Sequence, residues 1–161
     1  MRIIKPILLV LFLVSCSARS SAQDLGYLRE WVGKYPTSTP GEPPRNIYRS
    51  QPLGRKLIRL LGKRSYRRLL KDYYVMGPVS VVGDYVIVSR CERHNCDESS
   101  SFMAVNVRAG DIHVAFYKLG RLKWFHTKGK SQDLPQDVLN DEGLKIYRPS
   151  VKTVSEMTRA R

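Results

Sequence analysis

Residues 78–126 read PVSVVGDYVIVSRCERHNCDESSSFMAVNVRAGDIHVAFYKLGRLKWFH, and this stretch decides the fold. Apolar and polar residues alternate along most of it, the period of two that sends successive side chains to opposite faces of a strand. The pattern predicts five strands, at 79–82, 85–90, 102–108, 112–118 and 121–126. Gly83-Asp84, Ala109-Gly110-Asp111 and Gly120 supply turn residues between them. The first, third and fourth connections are short enough for hairpins, so the natural topology is an antiparallel meander. The remaining connection, from Cys91 to Ser101, is longer and carries two of the chain's three cysteines.

Upstream of the sheet the period becomes helical. Leu53, Leu57, Leu60 and Leu61 recur on one helix face, and Gly62 is well placed to end that helix. Tyr66, Leu69, Leu70 and Tyr73 mark a second helix, started by Lys63 to Ser65. Arg55, Lys56, Arg59, Arg64, Arg67, Arg68 and Lys71 fall on the other faces and read as a solvated surface. The expected class is therefore α+β: two N-terminal helices, then a five-stranded antiparallel sheet with a protruding, disulfide-closed loop. This domain is expected at 47–147. Before it, 23–46 hold an amphipathic stretch, with Leu25, Leu28 and Trp31 or Val32 on one side, and then YPTSTPGEPPRN, whose composition reads as a linker. After the sheet a short helix starts at Pro135, with Leu134, Val138 and Leu139 packing back. The basic stretch at 148–161 is weakly patterned and reads as a disordered tail.

Residues 1–22 have the parts of a secretory signal. Arg2 and Lys5 open it, an apolar run occupies 7–14, and small residues follow. The run is shorter than the roughly 20 residues needed to cross a bilayer core. Two cleavage readings compete. Ser20-Ser21-Ala22 looks like an ordinary signal-peptidase site, whereas Leu13-Val14-Ser15-Cys16 resembles a bacterial lipobox, in which Cys16 would be lipidated. Both readings place the protein in the periplasm, and the second anchors it to a bacterial membrane.

Cysteine usage agrees with export. Lipidating or removing Cys16 leaves Cys91 and Cys96 as one pair, which an oxidising compartment would close. Charge bounds the partners. The chain of 161 residues has 28 Lys+Arg against 14 Asp+Glu; loss of Arg2, Lys5 and Arg19 with the leader leaves 25 against 14, a charge near +11. In the cytoplasm such basicity would indicate nucleic acid. Export argues against nucleic acid and leaves an anionic membrane surface, lipid or lipopolysaccharide, as a partner.

Cys91-Glu92-Arg93-His94-Asn95-Cys96 sits between two apolar strands. Closing it makes a very small ring, worth about 2 kcal/mol in the chain-entropy estimate, and a rigid loop loses less entropy on docking. His94 falls near the middle, where closure pushes its side chain outward. Other chemistries fit the spacing less well. Zinc would find three crowded ligands where structural sites use four at wider spacing. A thiol oxidoreductase would show Cys-x-x-Cys near a βαβ unit. A structural disulfide with an incidental histidine remains the plain alternative. His113 alternates against Ile112, Val114 and Phe116 and is expected on the polar face of its strand. His126 shares a face with Leu122 and Trp124 and is expected to pack at a strand end. No nucleophile–base pair, phosphate-binding glycine loop or carboxylate pair stands out, which argues against catalysis, and nothing implies a metal or cofactor.

Taken in order, the run from Val86 through the Cys91–Cys96 loop, then Phe102-Met103-Ala104-Val105-Asn106-Val107, a hairpin, Val114-Ala115-Phe116 and Leu122-Lys123-Trp124-Phe125 resembles the inhibitor of vertebrate lysozyme family. The resemblance covers roughly 47–140 and is sharpest from 85 to 125. It implies that the loop, Cys91 to Cys96, enters the active-site cleft of a c-type lysozyme or another peptidoglycan-cleaving enzyme. There His94 would meet the catalytic carboxylates, held in place by the Cys91–Cys96 disulfide. Glu92, Arg93 and Asn95 stand where the family pattern has Lys, Pro and Asp. Most c-type lysozymes are cationic and would repel a chain near +11 at long range. A less basic lysozyme, or a lytic transglycosylase of the cell itself, fits the charge better. A different class also fits: a non-catalytic envelope protein that binds anionic lipid or polymer through its basic helices.

Overall fold

The computed structural model describes residues 25–38, 41–128 and 134–140. The expected leader, Cys16 and the basic tail lie outside the described residues. Two short 3-10 turns, Gly26–Trp31 and Ile47–Arg49, precede helix α1 at Leu53–Lys71. Six strands follow, β1 Val75–Met76, β2 Ser80–Val82, β3 Tyr85–Cys91, β4 Ser99–Asn106, β5 Ile112–Lys118 and β6 Arg121–His126, and then a short helix, α2, Gln136–Leu139.

The sheet runs β1-β3-β4-β5-β6 with every pair antiparallel, and β2 also pairs with β3. Strands β1 and β2 share one edge of β3: Val75 lies opposite Cys91, and Ser80 opposite Ile87. The expected meander is therefore present, with β1 as an added two-residue strand. Strand β4 begins at Ser99, three residues earlier than its apolar pattern suggests. Serine is no strong strand former, but small side chains are what this place accepts. Ser101 lies between Arg90 and Phe116 across the sheet, and all three are buried.

One helix stands where two were expected. Gly62 does not end α1; it takes φ 71° and ψ 162° and puts a kink inside it. The apolar row continues across the kink, because Leu53, Leu57, Leu61 and Leu69 all bury into one cluster with Val86, Val88, Met103, Val105, Ile112 and Val114. Burial of each such side chain contributes about 2 kcal/mol.

The opposite sheet face is covered too. Ile87, Phe102, Ala104 and Ala115 pack with Leu134 and Val138, as the expected last helix requires. That cover corrects the reading of His113. Its strand has no solvated face, and His113 is 3 % exposed. His126 is exposed at the strand end, with its ring centroid 6.4 Å from that of His113. The segment ahead of the stretch read as a linker is packed onto the domain. Leu25 and Leu28 join the α1-side core, and Gly33 and Val79 are linked through Gly33 N–H to Val79 O at 2.8 Å. The arms at 36–38 and 45–47 pair with each other, Ser38 N–H to Arg45 O at 3.0 Å and Ile47 N–H to Pro36 O at 2.9 Å.

Candidate functional site

Strand β3 delivers the chain to the end of the sheet at Cys91, and β4 takes it back at Ser99. The last rung of that ladder is Glu92 N–H to Ser99 O, 2.9 Å. Asn95 N–H then donates to Glu92 O at 3.1 Å and closes a turn with Arg93 and His94 at its centre. Asn95 O accepts from Glu98 N–H at 3.2 Å and from Ser99 N–H at 2.9 Å, which seats the return of the loop on the start of β4. The Cys91–Cys96 disulfide bridges the base, with Cα atoms 4.8 Å apart.

All six loop residues come together in this one structure. Cys91 is buried; Glu92, Asn95 and Cys96 are half-buried; Arg93 and His94 are exposed. His94 has φ 60°, a left-handed conformation that costs a residue with a Cβ, although histidine tolerates it better than most. With both sulfurs bonded to each other, the loop offers no thiolate for zinc or for thiol exchange. Among the described residues no group of three or more His, Cys, Asp or Glu is placed to hold a metal ion.

The base of the loop rests on a residue that pattern reading passed over. Arg90 is only 5 % exposed and lies on the α1 face of β3. Its guanidinium donates to Leu69 O in the last turn of α1 at 3.0 Å and to Tyr73 O just beyond the helix, and lies 5.3 Å from the centroid of the Tyr48 ring. A cation there also suits the negative end of the helix dipole. Burial pushes the Tyr48 hydroxyl well above the ordinary tyrosine value, and Arg90 opposes part of that shift. One signal in the sequence could have found it: the alternation Val86, Val88, Arg90 puts an arginine at a core-facing register position.

Beside the loop a groove of about 530 Å³ runs to the end of α1. Arg68, Lys71, Arg93 and Lys118 give it cations, and Asp72 and Glu92 give it carboxylates. Burial is the main cause raising Tyr73 as well, with Arg68 lowering it.

The fold and this site define a class: a small antiparallel sheet domain that presents a disulfide-held turn, with Arg93 and His94 exposed on it, at one end of the sheet. The inhibitor of vertebrate lysozyme family model matches residues 52–145, more than half of the chain, and the chain belongs to that family. The family is one of inhibitors rather than enzymes, and lysozyme is the partner its description names. No curated protein and no solved structure matches the chain.

Proposed function

We propose that this chain is an exported bacterial inhibitor of a c-type lysozyme that works by inserting the Cys91–Cys96 loop into the enzyme's cleft. The observation that carries the reading is His94, exposed at the tip of a disulfide-closed turn with φ 60°. A retaining glycosidase holds two carboxyl groups about 5 to 5.5 Å apart. An imidazole between them reaches one with each ring nitrogen, and charge-assisted bonds form when it carries its proton. The loop also fills the space that substrate needs. Rigidity contributes because the loop is already held by its disulfide and its own backbone hydrogen bonds before it docks. Glu92 and Asn95 are half-buried, so their departures from the family pattern bear on the loop's frame, while Arg93 is exposed beside His94. Residues 1–22 act in this reading as a secretory leader, Cys16 is the candidate lipidation site, and the mature protein works in the periplasm.

The test is cell-wall hydrolysis by a panel of c-type lysozymes of differing charge, with the mature protein and its His94→Ala variant. Binding of the basic protein to the anionic substrate is measured in parallel as a control. Inhibition that weakens about 100-fold in the variant, roughly 2.7 kcal/mol, supports the reading. Equal inhibition by both proteins would remove His94 from the mechanism.

One observation favours a second reading. Helix α1 contains no acidic residue, and Arg55, Arg59, Lys63, Arg64, Arg67 and Lys71 are all exposed on it. That face suits anionic lipid or polymer. Salt separates the two, since surface attraction of this kind collapses as the Debye length shrinks, while an inserted loop keeps its close contacts.

A further inference from the structure

The turn joining β5 to β6 lies at the same end of the sheet as the disulfide-closed loop. The two are tied together, because Leu119 N–H donates to Glu98 O at 2.7 Å. Lys118 pairs with Arg121, so Leu119 and Gly120 are the central residues of a two-residue hairpin, with φ 48° and 76°. Positive φ at both positions is the type I′ geometry, which selects Asn-Gly, Asp-Gly or Gly-Gly. A leucine in the first place is strained by its Cβ. Leu119 is also 64 % exposed, so its side chain gains little from burial within this chain. Two penalties fall on one residue, and its exposed side chain offsets neither by burial among the described residues.

The neighbourhood repeats the pattern. Among the described residues His94 and Leu119 are the two non-glycine positions with positive φ, and they occupy adjoining turns. Tyr74 is 67 % exposed just before β1, whose Val75 pairs with Cys91 at the loop's base and is exposed as well. Lys118 and Arg121 flank Leu119, and both are exposed.

We infer that Leu119 is a second anchor for the partner enzyme, an apolar side chain that seats on the rim of the cleft the loop enters. The inference rests on the inhibitory reading of the loop. The rim it fits is an apolar strip bordered by carboxylates, because Lys118 and Arg121 stand on either side of the leucine. An enzyme with a basic rim is disfavoured by the same two charges.

Leu119→Asn tests this cleanly, since Asn-Gly is the sequence the turn prefers. Melting and inhibition of the same acidic-rimmed lysozyme are measured for the wild type, Leu119→Asn and His94→Ala. The expected result is a higher melting temperature for Leu119→Asn together with inhibition about tenfold weaker, while His94→Ala loses inhibition. Inhibition by Leu119→Asn equal to wild type overturns the anchor, and if His94→Ala has lost inhibition the loop reading survives it. A fall in melting temperature alongside inhibition would make Leu119 a structural residue and overturns the anchor too. A wild-type protein that inhibits no enzyme in the panel removes the loop reading, and the anchor with it.

Discussion

Arg90 is buried with carbonyl oxygens and an aromatic ring as its partners, and that choice explains what it does. Its fork reaches two carbonyls at once: Leu69 O, which the end of α1 leaves without an intrahelical donor, and Tyr73 O, two residues past the helix. The adjacent residue is Cys91, so the loop's base is joined to the helix through one side chain. Arg90→Met keeps the bulk and strands both carbonyls, each costing about 1–3 kcal/mol when buried without a donor. Arg90→Lys keeps the charge but loses the planar fork. Urea denaturation is expected to show a loss of about 3 kcal/mol for Met and a smaller loss for Lys, with the slope unchanged. A Met variant as stable as wild type would mean that the two carbonyls find other donors. The same residue marks a limit of sequence reading. The closed loop was legible because its two cysteines lie five residues apart, a local pattern. The partners of Arg90 were not, because a backbone carbonyl carries no letter in the sequence. Leu119 escaped notice for a related reason, since one exposed leucine is ordinary until its backbone angle is known.

At the scale of elements, the helical and alternating periods located the sheet and the helical region, and Gly62 is where that reading went astray. A glycine after a leucine row is a common helix end, yet the row resumes with Leu69 on the same core and the element carries on to Lys71. Serines 99–101 hid the start of β4 because their fit depends on residues of neighbouring strands, Arg90 and Phe116 opposite Ser101 and Cys91 and Tyr117 opposite Ser100, not on their own propensity. The kink makes an unusual forecast. In an exposed, regular helix Gly→Ala stabilises by up to about 1 kcal/mol. At Gly62, φ 71° and ψ 162° lie in a region nearly reserved for glycine. Nothing stands within 4 Å of an added Cβ, so the cost is purely one of backbone conformation. Gly62→Ala should therefore lower stability by about 1–3 kcal/mol in thermal melts. A gain in stability would show that α1 runs straight through this position.

Across the whole molecule, the N-terminal stretches, the helix and the sheet share one core. Proline, serine and threonine between Tyr35 and Asn46 read as a linker, and Leu25 and Leu28 before it and Ile47 and Tyr48 after it are buried in the same core. Tyr48 is where the parts meet. It sits in the second 3-10 turn, its carbonyl accepts from the Tyr66 hydroxyl of α1 at 2.9 Å, and Arg90 of β3 lies over its ring. Burial raises the hydroxyls of Tyr48, Tyr66 and Tyr73 above the ordinary value of 10.0. The sign of the consequence follows. In the unfolded chain these phenols lose their protons near pH ~10, while the folded chain still holds them, so unfolding then releases protons and becomes easier. Stability is present in full below about pH 9 and falls as pH rises past about 10. Tyr48→Phe removes one of the three phenols and, with it, the contact of its hydroxyl with Arg90. At neutral pH the variant should be weaker than wild type by about 1 kcal/mol, in the range of a single hydrogen bond. Its stability should then fall less steeply between about pH 9 and 11, so the two curves converge. Urea midpoints measured across that range decide the matter. Parallel curves would mean that Tyr48 ionises as freely in the folded protein as in the unfolded chain, and that the junction of the N-terminal segment, α1 and β3 is open to water.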